Sequence, residues 1–116
     1  MTHTHFLERL NQYRVMWILV FFDLPTDTKK ERKAAAKFRK DLLADGFVMF
    51  QFSIYTRHCA SADNVRVHVK RVTARLPDYG SVGILCITDK QFADMKIFFC
   101  KKTQKPNAPG AQLELF

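Results

Sequence analysis

One carboxylate stands at the end of an unbroken apolar run: Val15-Met16-Trp17-Ile18-Leu19-Val20-Phe21-Phe22 is followed by Asp23, and Leu24-Pro25 then stops the segment. Two chemistries suit a carboxylate so placed. It can hold a magnesium ion, which takes oxygen ligands, keeps several waters and needs only one or two carboxylates. It can also cap the turn into the next helix. No second carboxylate stands at a spacing that pairs with Asp23 inside one chain. Asp27 is near but falls in a helix-start segment, where capping is the expected role. His58 and His68 could act as bases. A single His beside Arg57, or on a basic helix, is more often a phosphate contact or a surface residue. His3 and His5 lack a third ligand and read as solvated. Cys59, Cys86 and Cys100 are odd in number with no close-spaced pair, which suggests neither a disulfide framework nor a zinc site.

The elements that must position Asp23 follow from the patterning. The run before it is short, rich in branched and aromatic residues, and ended by Pro, so it predicts a strand buried on both faces. It is far too short to cross a bilayer. The carboxyl edge of such a strand is where ligands and ions commonly meet a helix-covered sheet. Thr28 with Glu31 three residues on is a capping box that starts a helix, with Ala34, Ala35, Phe38 and Leu42 as its apolar stripe and Gly46 as its stop. Lys33, Lys37 and Lys40 fall on another face, with Lys29, Arg32 and Arg39 nearby.

Residues 47–59 alternate, with Val48, Phe50, Phe52 and Ile54 against Met49, Gln51, Ser53 and Tyr55. That predicts one long strand or two joined near Ser53, with one face well buried. The spacing of Val65, Val69, Val72 and Leu76 predicts a helix capped by Ser61 or Asp63, exposing Arg66, Lys70, Arg71 and Arg75. Pro77-Asp78-Tyr79-Gly80 is a turn, Val82 to Thr88 a strand, Asp89-Lys90-Gln91 a turn, and Met95 to Cys100 a further short strand. The domain occupies residues 15–100. Before it lies a polar lead-in, 1–14. After it, 101–116 form a linker and an apolar terminal strand that docks on its own sheet or another subunit.

This order predicts an α+β ferredoxin-like βαββαβ sandwich with an additional C-terminal strand, two helices covering one face of an antiparallel sheet. The other face, rich in aromatics, should pair with a second copy. A chain of 116 residues suits one domain, and 47% hydrophobic content is globular. The formal charge of +8 and pI near 9.7 favour a polyanionic partner, nucleic acid first, over a merely solvated surface. The N-terminus lacks the order of a secretory signal, so the cytoplasm is expected and no membrane contact is implied.

The chain resembles the CRISPR-associated protein 2 family, the small partner of the spacer-integrating nuclease. The residues that carry the resemblance are the first strand ending in Phe22-Asp23-Leu24-Pro25, the basic helix from Lys29 to Leu43, and Gly46 leading into Gln51-Phe52-Ser53-Ile54-Tyr55. Arg57 follows, and the closing Gln112-Leu113-Glu114-Leu115-Phe116 is similar to the tail of members found beside a Cas9-type effector. The family commonly has Tyr where Phe22 stands, and residues 1–14 precede its usual start.

The resemblance implies two strands within residues 47–59, a homodimer stacked sheet to sheet, and a C-terminal strand whose Leu113, Leu115 and Phe116 cross to the partner or dock the integrase subunit. It also implies Asp23 as metal ligand: one from each protomer could share a Mg2+ that activates water toward a phosphodiester. Three functions then compete. The first is a homodimer in antiviral defence that binds duplex DNA without reading its bases and scaffolds the integrase subunits during spacer acquisition. Lys33, Lys37, Lys40, Arg57, Arg66 and Lys70 are its candidate contacts. The second is a magnesium-dependent endonuclease, on RNA or DNA, acting through Asp23. The third is an RNA-recognition-type module, faintly echoed by residues 46–50 and 20–25, which would expose its sheet aromatics to bases.

Overall fold

The computed structural model describes residues 15–100. Strand β1 (Met16–Asp23) alternates strictly: Met16, Ile18, Val20 and Phe22 are buried, while Trp17, Leu19, Phe21 and Asp23 face the other way. Period-two alternation puts these sets on opposite sides of the sheet. The strand is therefore fully buried on one face, not on both as its apolar run predicted, because the two long helices cover only that side of the sheet.

The helices are α1 (Lys29–Ala44) and α2 (Ala62–Thr73). Their stripes of Phe38 and Leu42, and of Val65 and Val72, close a single core over Met16, Ile18, Val20, Phe22, Phe47 and Tyr55. Both start as expected. Thr28 Oγ1 accepts from Glu31 N at 3.1 Å and Glu31 Oε1 accepts from Thr28 N at 2.9 Å, a complete capping box. Ser61, rather than Asp63, caps α2, its hydroxyl accepting from Asn64 N at 3.1 Å. Helix α1 ends where Gly46 takes φ +89°, a left-handed conformation that favours glycine, and a Cβ there would sit 3.1 Å from Arg57 Nε.

Residues 47–59 hold two strands, β2 (Val48–Gln51) and β3 (Ile54–Cys59), joined by a tight turn at Phe52–Ser53 where Ser53 has φ +78°. Strand β2 is an exposed edge with an irregular register at Met49–Gln51, so its alternation buries little. With β4 (Ser81–Thr88) the order is β2-β3-β1-β4, every neighbouring pair antiparallel. This is the ferredoxin-like α+β arrangement.

Two expectations at the end of the domain are corrected. Asp89-Lys90-Gln91 is not a turn but the start of helix α3 (Asp89–Ala93), because Thr88 and Gln91 form a second capping box. Met95 to Cys100 forms no strand; Phe98 and Phe99 are exposed there. The lead-in with His3 and His5, and the terminal segment with Leu113, Leu115 and Phe116, lie outside the described residues. No helix of the described residues is long and apolar enough to cross a membrane.

Candidate functional site

Because Asp23 is the last residue of β1 in the series Trp17, Leu19, Phe21, it emerges on the open face, at the strand's carboxyl end. It pairs in register with Ser81 of β4. Its backbone carbonyl abuts Gly80: a Cβ at that residue, itself at φ +85°, would lie 2.4 Å from Asp23 O. Only a glycine lets the turn into β4 press so closely against the strand end that carries the carboxylate. Asp23 is exposed, and among the described residues its carboxylate has no hydrogen-bond or ion-pair partner. It therefore does not cap the turn into α1, which Thr28 and Glu31 close without it. A shallow, open depression of about 520 Å³ surrounds it, walled by Phe21, Phe22, Phe52, Ser53, Ile54, Ser81, Val82 and Gly83.

The basic residues stand elsewhere. Lys33, Lys37 and Lys40 are exposed on the outer face of α1, and Lys37 is paired with Asp41 at 2.9 Å. Lys70 is exposed on α2, where Arg66 is partly buried and bonded to Asp63. Helices α1 and α2 cover the face opposite Asp23, so the carboxylate and these cations lie on opposite sides of the sheet. Arg57 has a structural duty as well: its Nε donates to Asp45 O at 2.9 Å and its Nη1 to His58 O at 2.8 Å, clamping the end of α1 to β3.

The two histidines have different surroundings. His58 is exposed on the open face, edge-on to Trp17 with ring centroids 4.8 Å apart. His68 is 4% exposed, and its Nδ1 lies 2.7 Å from Asp45 Oδ2, with Arg71 donating to Asp45 Oδ1 at 2.9 Å. Neither stands beside Asp23 in the sheet register, where Ser81 is its β4 partner. The Asp45–His68–Arg71 cluster escaped sequence reasoning, since Asp45 carries no signal beyond preceding a helix-stop glycine. Cys86 is pushed up to about 12 by burial, and burial also raises Cys59, so neither thiol is a nucleophile at neutral pH.

Burial pushes the Asp45 carboxyl up, but the hydrogen bonds from His68 and Arg71 outweigh it and hold the group below the ordinary carboxylate range. Lys37 and Arg75 hold Asp41 low in the same way. A carboxyl depressed in the folded state contributes stability that is complete above its unfolded value, near 4, and fades as pH falls through the folded value. Asp45→Asn is therefore expected to lower stability by about 2 kcal/mol at pH 7. It should also flatten the loss of the urea midpoint between pH 5 and pH 3, leaving the part that belongs to Asp41. A variant with the unaltered acid dependence would show that Asp45 does not carry it.

A small α+β chain, open and apolar on one side of its sheet, charged on its helical side, with a bare carboxylate at the end of β1, defines a narrow class of ferredoxin-like proteins. Comparison with known proteins places it within that class. Residues 16–95 match the family described as CRISPR associated protein Cas2. The chain is 61% identical over 108 residues to a CRISPR-associated endoribonuclease Cas2 of Flavobacterium psychrophilum, covering 93% of this chain and 94% of that one. It is 55% identical over 101 residues to the protein of that name from Parvibaculum lavamentivorans, covering 87% of this chain and all of the relative. One from Acidovorax ebreus is 44% identical over 102 residues, again 87% of this chain and all of the relative. The chain belongs to the CRISPR-associated Cas2 family.

Proposed function

We propose that the protein serves CRISPR adaptation as a homodimer joined through its open sheet face, its basic helices gripping the backbone of duplex DNA while integrase subunits docked at its edges carry out strand transfer. The observation that carries this reading is the sheet face itself. Leu19, Phe21, Leu85 and Ile87 lie together on one side of β1 and β4, beside Trp17, on which Phe92 of α3 stacks, and Phe21 and Leu85 keep 46% and 50% of their surfaces exposed. A contiguous apolar patch of this kind marks an interaction surface, and a two-fold pair covers it with a copy of itself. With that face occupied, the helical faces bearing Lys33, Lys37, Lys40, Arg66 and Lys70 remain outermost, where lysine and arginine meet phosphates without reading bases. Light scattering tests it: the expected mass is two chains, with duplex affinity falling steeply as salt rises. A stable monomer indifferent to duplex DNA at low ionic strength overturns it.

A second reading, metal-assisted cleavage of a phosphodiester, is favoured by the exposed carboxylate of Asp23, unpartnered among the described residues; the relatives' name, endoribonuclease, agrees with it. Among the described residues no three His, Cys, Asp or Glu side chains gather in one chain, so a buried multi-ligand cage does not form. Magnesium does not need one: hard oxygen donors and waters suffice, and Asp23 from each protomer fits that chemistry. The ion would supply a water acidified toward attack and charge neutralisation at the phosphate. Asp23 supplies the fixed anchor, held by the sheet on one side and by the Gly80 turn on the other.

A further inference from the structure

Two ion pairs cross the seam between α1 and α2 like rungs. Asp41 and Asp45 stand one turn apart at the end of α1, and Arg71 and Arg75 the same distance apart at the end of α2. Arg71 Nη1 donates to Asp45 Oδ1 at 2.9 Å, and Arg75 Nη1 to Asp41 Oδ1 at 3.5 Å. The anions are set back and the cations stand forward: the Asp45 and Asp41 side chains are 14% and 18% exposed, those of Arg71 and Arg75 57% and 56%. The four residues, with Phe38 and Leu42, line a notch of about 140 Å³. Each carboxylate is fixed by a further partner, Asp45 by His68 at 2.7 Å and Asp41 by the exposed Lys37 at 2.9 Å.

A brace alone does not account for this arrangement. An ion pair whose arginine keeps over half of its side chain in water contributes little to stability. Each guanidinium also commits a single nitrogen. Among the described residues neither has a second partner, so most of its five N–H donors stay available. A guanidinium anchored at one nitrogen has its plane set in advance, and the remaining donors match the oxygens of a phosphate. One helical turn separates the two arginines, about 6 Å along the axis. Phosphates of one strand rise about 3.4 Å per nucleotide along a duplex, so two phosphates one or two nucleotides apart can meet one arginine each.

We propose that Arg71 and Arg75 form a paired phosphate contact for one strand of duplex DNA, presented across the α1–α2 seam by Asp45 and Asp41 as positioning residues. The proposal rests on reading the helical faces as a duplex-binding surface, and adds to it a fixed two-pronged contact.

The probe is a 5′-fluorescein-labelled duplex DNA of about 30 base pairs, and the protein is the full chain, titrated by anisotropy across a salt series. Arg71→Gln and Arg75→Gln are each expected to weaken binding about fivefold and to flatten the log–log salt slope by about 0.9, the signature of one lost phosphate contact. Asp41→Ala separates positioning from plain charge by its sign. It makes the protein more positive, so removing a carboxylate that only repelled DNA tightens binding, whereas removing a positioning group weakens it, here about threefold. In an Arg75→Gln background the same change should lose most of that effect, the remainder belonging to Lys37. Unaltered affinity and slope in both arginine variants overturn the proposal and leave the duplex-binding reading standing; an unsubstituted protein that ignores duplex DNA at low salt overturns both. Tighter binding by Asp41→Ala overturns the positioning role. If Arg71→Gln fails to fold by circular dichroism, Arg75→Gln decides alone, since Asp41 then keeps Lys37 as its partner.

Discussion

Asp23→Asn is expected to lower phosphodiester cleavage about a hundredfold or more while leaving the fold and the grip on nucleic acid intact. Asn keeps the size and one oxygen of Asp but not the charge, and a hard cation held by few ligands depends on that charge. Metal polarisation of a phosphoryl oxygen contributes several kcal/mol at the transition state, and each 1.4 kcal/mol lost is a factor of ten in rate. The side chain is exposed and bonded to nothing among the described residues, so the fold loses no packing and no hydrogen bond.

The same substitution has an opposite effect on assembly, which separates it from mere damage. In the proposed dimer, two Asp23 carboxylates about 5 Å apart across the two-fold seam would repel by roughly 3 kcal/mol at an effective dielectric of 20. Removing that repulsion should tighten the dimer in metal-free, low-salt buffer, whereas added magnesium should tighten only the Asp23 protein. Cleavage that persists unchanged in Asp23→Asn would place the chemistry elsewhere. Spacer acquisition that survives the change would show that catalysis at Asp23 is not the physiological task, leaving the binding role standing.

Much of this architecture was legible from local signals, and the failures share a cause. The Thr28–Glu31 box, the apolar stripe of α1 and Gly46 act through neighbours in sequence, so their outcome needed no tertiary information. Thr88–Gln91 is the same box, yet it follows directly on β4, and the polar Asp89-Lys90-Gln91 read as a turn. The helix it starts is held from a distance: Trp17 Nε1 donates to Asp89 Oδ1 at 2.8 Å, and Phe92 stacks on Trp17 with centroids 3.9 Å apart. Likewise the run from Met16 to Phe22 is apolar on both faces, but a sequence cannot say that α1 and α2 both settle on the same one.

Site geometry was the least legible. Asp23 was legible as the first charge after a strand. That Lys33, Lys37 and Lys40 lie across the sheet from it depends on which face the helices choose. Arg57 looked like a free cation until its partners, the carbonyls of Asp45 and His58, came together in space.

Leu85→Glu should convert the protein to a monomer at micromolar concentration. Leu85 stands opposite Leu19 on the open face and is 50% exposed, so in the single chain a glutamate there can turn its carboxylate to water and the fold survives. In a two-fold pair each copy contributes the same surface, so every substitution enters the interface twice. Leaving a charge buried and unpaired costs about 3–5 kcal/mol, and even one such term raises a dissociation constant by two to three decades. Duplex affinity should fall with it, by about a hundredfold, because two linked basic layers engage one duplex far more tightly than either alone. Leu43→Glu, equally exposed but on α1 at 53%, is the control and should leave the mass at two chains. A Leu85→Glu protein that remains dimeric would place the pairing at another surface. The exposed β2 edge and the apolar segment at Ile97–Phe99 would then be the surfaces to test.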